Sequence, residues 1–436
     1  MPLSSPRRIV ITGIGLVSPL GNTQEQLWES LTSGRSGVRP LQSIPTQYLP
    51  ISYGAEAWDF RGNIQDFGTL DSSQQKTIRK GLKVMSREIQ MGVAAAQRAL
   101  QDAGLKPGGY DCDRTGCCYG SDYIMTVPEE FTEAIRHCME DGKFQFDRWA
   151  EQGLPKVTPL WLLKYLPNMP ASHIAIYNDL RGPSNSITQR EASANLALGE
   201  AYCTIARNNA DTVVVGATGT RIHPIRTVHV ALQEQLALGD GDPSELCRPF
   251  DRNRCGMVLG EGAGAVVLEE LNTARARGAR ILGEVIGYGS CAHMRSDGVG
   301  QCDQAVETVL RHALRTSGLS PAQIGHLNSH GAGTTVGDAQ EAAAFARVFG
   351  RDVPPVVAAK SYFGNLGAGG AIVEFISSVL ALVHDRLFPI RNYCTPDPDC
   401  PIRPASAEDR AGDSFINVNY SPQSQASAVV VTRFAE

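Results

Sequence analysis

Three short stretches combine glycine-flanked turns with polar residues able to take part in carbonyl chemistry. "LRGPSNSITQREASANLALGEAYC" (180–203) runs from Gly182-Pro183-Ser184 to Glu191 and then into an alanine-rich helical pattern. "LNSHGAGTTVGDAQEAAAF" sets His330 at a strand exit, with Asp338 and Glu341 at the start of the helix that follows. "VVAAKSYFGNLGAGGAIVEF" places Lys360, Gly364 and Asn365 in a second glycine-flanked loop before another helix. A helix N-terminus carries partial positive charge and unpaired N–H groups, so the position of Glu191 suits an anion or an activated thiolate. A carboxylate there also stabilises the helix by about 0.3–1 kcal/mol with no chemistry at all. Singly, each polar residue reads as a satisfied loop residue. Together they make three strand-to-helix junctions of the kind that build active sites on α/β frames.

The elements that must carry these junctions are legible as alternating apolar runs. Ile9–Gly13, "RTGCCYGSD" and "DTVVVGATG" read as short strands ending in glycine; "SREIQMGVAAAQRALQDAG" and "DQAVETVLRHALRTSG" read as amphipathic helices stopping at Gly104 and Gly318. This alternation predicts an α/β fold with largely parallel strands under helices. An internal echo suggests two similar halves: "RRIVITGIGLVSP" against "ARILGEVIGYGSCA", and "VVVGATGT" against "LNSHGAGT". The expected division is 1–270 and 271–436. Residues of about 121–170, helical, aromatic-rich and irregular, fit neither half and read as an inserted arm.

Other features exclude function classes. The net charge of −5 gives no basic field for nucleic acid. The eleven cysteines have no zinc-site spacing and read as reduced, mostly buried thiols, and neither a metal nor a cofactor is expected. His223 and His229, six apart, make no metal pair. The run Gly260–Gly264 precedes a strand pattern, not the helix N-terminus that phosphate cradling requires, so it reads as glycines between close backbone layers. Arg7-Arg8 and the apolar run after them resemble a leader. Thr12, Gly13, Gly15 and Pro19 break that run, which favours a buried first strand. "GAIVEFISSVLALVHD" carries Glu374 and two serines and reads as a core helix, so no membrane span is expected and a cytoplasmic location is.

Several long segments, in order and covering nearly the whole chain, resemble the elongating β-ketoacyl-acyl-carrier-protein synthases of the thiolase-fold condensing enzymes. They are "RRIVITGIGLVSPLGN", "NMPASHIAIYNDLRGPSNSI", "CRPFDRNRCGMVLGEGAGAVVLEEL", "NSHGAGTTVGDAQEA" and "AAKSYFGNLGAGGA". The resemblance implies a five-layered αβαβα fold of two related halves, a dimer, and an acyl chain loaded on cysteine for condensation with a malonyl-carrier protein. It also implies a departure. Counted from Gly182, Glu191 takes the place of the nucleophilic cysteine. Cys203 lies twelve residues further along a helix, about 18 Å away at 1.5 Å per residue. His330 matches the first histidine, Asn365 replaces the second, and Lys360 and Glu341 match. The C-terminal glycine-rich loop has become "NVNYSPQSQAS", with Ser421-Pro422-Gln423 at its centre.

A carboxylate attacking a thioester would give an unstable mixed anhydride, so ordinary condensation through residue 191 is not expected. Decarboxylation of a malonyl thioester needs only donors for the enolate, a role open to His330 and Asn365. Glu191 would repel the malonate unless protonated or paired with His330 or Lys360. Two readings follow. One is a malonyl- or acyl-carrier-protein-binding enzyme with residual decarboxylation. The other is a cysteine-less partner subunit, like a chain-length factor, that pairs with a cysteine-bearing synthase rather than forming a homodimer.

Overall fold

The computed structural model describes residues 7–239 and 241–435. The start of the leader-like stretch, residues 1–6, lies outside them. The first half of the chain supplies β1 (Ile9–Val17), α1 (Arg87–Asp102), β2 (Thr115–Ser121), α2 (Met169–Asn178), β3 (Ser184–Thr188), α3 (Ser193–Ala206), β4 (Thr212–Thr220), α4 (Pro224–Gln233) and β5 (Glu261–Glu270). The second supplies β6 (Gly283–Ala292), α5 (Cys302–Ser317), β7 (His326–Asn328), α6 (Thr335–Phe349), β8 (Pro355–Val357), α7 (Gly370–His384), β9 (Arg403–Pro404), β10 (Ser414–Tyr420) and β11 (Gln425–Thr432).

The strand order β9-β8-β7-β10-β11-β6-β1-β5-β4-β2-β3 contains one topology twice. Apart from the edge strand β9, which has no counterpart in the first half, the strand first in sequence ends the run in each half, and the order is third, second, fourth, fifth, first: β3-β2-β4-β5-β1 and β8-β7-β10-β11-β6. The two meet where β1 pairs antiparallel with β6, Ile9 opposite Val285. The sheet is mixed, not largely parallel. Strands joined through crossover helices run parallel (β2 with β3 and β4, β7 with β8 and β10), whereas β10 and β11, joined by a tight turn, run antiparallel, as do β4, β5 and β1. One half of the internal echo holds, since β1 and β6 are equivalent first strands. The other does not: "VVVGATGT" is the fourth strand of its half and "LNSHGAGT" the second of the other. Their likeness reflects a shared task, ending a buried strand in a glycine turn.

Helices α3 and α7 pack between the two half-sheets, with α1 and α2 outside one and α5 and α6 outside the other, giving five layers αβαβα. Layer spacing is set by small residues. A Cβ at Gly13 or Gly15 of β1 would collide with the carbonyls of Ala99 and Ala95, so α1, capped by Ser86, lies directly on the strand. The segment Gly367–His384 is apolar enough to cross a membrane, yet 89% of it is buried between the sheets. Glu374 within it has a buried partner, described below. The Gly260–Gly264 run sits at the start of β5 against Leu366, Phe363 and Ile372, a close approach of layers as expected.

The 121–170 arm is a helix (Glu129–His137), a two-stranded hairpin (Met139–Glu140 with Lys143–Phe144) and a string of short turns. Phe131 anchors it against Trp149 and Trp161, with Trp161 reaching Tyr165, while Phe146 and Leu160 face outward. Six of the eleven cysteines are buried. His223 caps α4, its Nδ1 accepting from the Ile225 and Arg226 N–H groups.

Candidate functional site

Three strand exits bring Glu191, His330 and Asn365 to one cavity of about 290 Å³, also lined by Met257, Tyr420 and Pro422. Glu191 sits in a short 3₁₀ turn, Arg190–Ala192, between β3 and α3. Arg190 before it has φ +53°, the left-handed region that non-glycine residues seldom occupy. The carboxylate does not cap α3. It is buried, 1% exposed, and hydrogen-bonded to the guanidinium of Arg221, which is fully buried at the end of β4. Arg221 also donates to Glu234 at 3.0 Å, and Arg190 donates to Glu234 as well. The Nε of Arg190 lies 3.5 Å from Oε2 of Glu191. Two arginines thus face two glutamates in a closed, charge-balanced quartet. Burial works against the carboxylate of Glu234, but Arg221 and Arg190 outweigh it and hold its pKa below the ordinary value. Burial lowers the pKa of Arg221. The expected pairing of Glu191 with His330 or Lys360 is therefore replaced by pairing with Arg221 and Arg190. The two arginines, at the exit of β4 and in the turn itself, reach Glu191 and are shared with Glu234.

Asn365 completes this wall. Its Nδ2 donates to Oε1 of Glu191 at 3.2 Å and lies 3.5 Å from the sulfur of Met257, while its Oδ1 accepts from the Gly367 N–H at 2.9 Å. The backbone on either side is fixed by hydrogen bonds to Val258 (2.8 Å) and from Gly260 (2.9 Å).

His330 belongs to a second network. Its Nδ1 is 3.0 Å from Oδ1 of Asn419, and its ring packs on Tyr420 at 4.3 Å between centroids. Lys360 donates to the His330 carbonyl (2.8 Å) and to Oδ1 of Asn419 (3.2 Å), and pairs with Glu374 at 2.6 Å. Nδ2 of Asn419 donates to the other oxygen of Glu374 at 3.0 Å. Glu341 accepts the N–H groups of His330 (2.7 Å) and Gly331 (2.9 Å), so it shapes the loop without reaching the cavity. Burial, reinforced by the charge of Lys360, holds the His330 imidazole well below its ordinary pKa and therefore neutral. Burial pushes Glu341 up to about 8 and Asp338 to about 6. Ser421 contributes only backbone: its N–H donates to Gln425 and its carbonyl accepts from Ser424, which closes the β10–β11 turn and aims Pro422 at the cavity.

Beside the quartet a second buried ion pair closes the β2 and β4 exits. Arg226 donates to Asp122 and lies 4.4 Å from the ring of Tyr123, whose hydroxyl meets Nδ1 of His229 at 3.1 Å.

A family model described as the β-ketoacyl synthase N-terminal domain matches residues 6–274, and one for the C-terminal domain matches residues 282–394. The chain belongs to the β-ketoacyl synthase family. Among curated relatives, the 3-oxoacyl-[acyl-carrier-protein] synthase 2 of Coxiella burnetii is 31% identical over 98% of this chain and 99% of its own length. The protein of the same name from Synechocystis is 28% identical over 93% and 92%. Among solved structures, a β-ketoacyl synthase from Burkholderia phymatum superposes with a TM-score of 0.84 at 26% identity, covering 98% of this chain and 100% of its own. The ishigamide ketosynthase/chain length factor superposes at 0.82 with 25% identity, covering 99% and 100%. The chain is a β-ketoacyl-acyl-carrier-protein synthase-like protein of fatty-acid or polyketide-type synthesis, with the thiolase-like fold.

Reasoning from sequence missed Arg190, Arg221, Glu234, Asn419 and the role of Glu374. Glu374 carried a signal, since a lone carboxylate inside an apolar helix requires a buried partner. So did Arg221, a charge at the end of a strand of buried residues. Glu234 and Asn419 lie in polar surroundings and carried none.

Proposed function

We propose that this β-ketoacyl synthase homologue is a non-condensing partner subunit, comparable to a chain-length factor, which pairs with a cysteine-bearing synthase. On this reading Glu191 stands at the nucleophile position. The observation that carries it is the closed quartet: the Glu191 carboxylate is held by Arg221 and Arg190 and cannot form or pass on a thioester. The Arg226–Asp122 pair adds a second buried ion pair at the neighbouring strand exits. Residual decarboxylation fits less well, because the Asn365 amide that would support an enolate already donates to Glu191. The partner at the cavity mouth is an acyl- or malonyl-carrier protein held by its active companion. The repeated strand order supports dividing the chain into halves at about residue 270, with the 121–170 arm as an insertion in the first.

Coexpression with a cysteine-bearing synthase tests this. A stable complex is expected, with product length that changes when Met257 or Tyr123 of this chain is altered. A homodimer that condenses acyl and malonyl units unaided would overturn the assignment.

A further inference from the structure

The polarity of His330 can be worked out from its neighbours. Nδ2 of Asn419 faces a carboxylate oxygen of Glu374, which only accepts, at 3.0 Å. Its Oδ1 faces the ammonium of Lys360, which only donates, at 3.2 Å. Both contacts fix the same orientation of the amide, so the atom 3.0 Å from Nδ1 of His330 is a carbonyl oxygen. Two bare lone pairs at that distance would repel, so Nδ1 carries the proton. The competing arrangement, Lys360 donating to Nδ1, is longer at 3.4 Å, and Lys360 already has Glu374, the His330 carbonyl and Asn419 as partners. A neutral imidazole has one proton. Nε2, which lies on the cavity side of the ring and has no hydrogen-bond partner among the described residues, is therefore a bare acceptor.

We propose that Asn419 is a positioning residue that locks His330 in its Nδ1–H tautomer, so that the cavity presents an acceptor at Nε2 and takes a ligand offering an uncharged N–H or O–H there, such as an amide of a carrier arm, in place of an enolate oxygen. The inference rests on the reading of the cavity as a binding site. It also supplies a second reason, independent of Glu191, why an oxyanion is not stabilised there. Exchanging Asn419 for an apolar residue leaves Lys360 as the polar partner of Nδ1 among the described residues; Nδ1 then accepts, and the proton moves to Nε2.

Solid-state ¹⁵N NMR of the full chain labelled in histidine reads this directly, with the His330 signals identified by their loss in His330→Gln. Wild type is expected to show Nδ1 protonated and Nε2 bare, and Asn419→Leu the reverse. N-acetylcysteamine, a small thiol with an amide N–H, should shift the bare Nε2 signal of wild type and not that of the variant. A protonated Nε2 in wild type overturns the proposal on its own, even where Asn419→Leu fails to fold, and so does a tautomer unchanged in a folded variant. No shift with the probe overturns the ligand class. The tautomer is read on this chain alone, so its failure is separate from any failure to find a partner synthase.

Discussion

Replacing Arg221 with methionine removes the fully buried cation that hydrogen-bonds both glutamates of the quartet. Arg221 is fully buried and Glu191 is 1% exposed, so water cannot take over the lost hydrogen bonds. Removing one member of such a pair costs about 3–5 kcal/mol, because the other charge is left uncompensated. Arg190 remains, its Nε 3.5 Å from Glu191, and keeps the expected loss near the lower end of that range. An unfolding entropy of about 2.1 cal/mol/K per residue, taken over the 436 residues, gives about 0.9 kcal/mol/K, so the melting temperature should fall by about 3–5 °C. The double variant Arg221→Met/Glu191→Leu leaves Arg190 facing Glu234, a balanced pair, and should recover most of the loss. Scanning calorimetry of wild type, both single variants and the double variant closes the cycle. The reasoning fails if Arg221→Met melts within about 1 °C of wild type, or if the double variant is as unstable as the two single losses added together.

Two other outcomes follow from the same geometry. Intact-mass spectrometry after exposure to a labelled acyl-carrier-protein thioester should find no adduct on the peptide containing Glu191, and an acyl group there would refute the closed quartet. His326 is fully buried and its pKa is lowered to about 4 by burial, so it is neutral when folded and charged when unfolded below about 6.5. The unfolded chain binds the extra proton in that window, so the contribution of His326 to stability is present above pH 6.5 and lost on acidification towards 4. Glu88 and Asp338, pushed up by burial to about 7 and about 6, act with the opposite sign. The readout is therefore the difference from His326→Asn. Between pH 7.5 and 5, wild type should lose about 2 kcal/mol relative to the variant, and a difference flat with pH would show that the histidine is not neutral in the fold.

The sequence made the frame legible because the frame depends on local patterns. The apolar strands end in glycine, α1 begins at Ser86, and α5 stops at Gly318 in the left-handed conformation, all read from neighbours a few residues apart. It also set His330, Asn365 and Glu191 beside glycine-flanked turns before helices, and the structure brings all three to one cavity. What each of them touches was not legible, because those partners come from far along the chain. Arg221 lies thirty residues from Glu191, and Asn419 eighty-nine from His330. Glu191 has the same one-letter code whether it acts as a base, a helix cap or half of an ion pair. Only the placement of Arg221 separates these roles. The mixed sheet was missed for a related reason: the direction of a buried strand depends on its connection, and the long segment between β4 and β5 gives no sign of which way it returns.

The quartet also bears on how such a protein drifts through time. Each of its four side chains is tolerable only because the other three are present, so mutation at any one site exposes a bare charge in a dry interior. Lineages carrying this arrangement should change these positions in concert or leave them alone. A lone Glu191→Cys change would leave Arg190 and Arg221 with Glu234 as their single counterion, so a thiol at this position is opposed by the neighbours of Glu191.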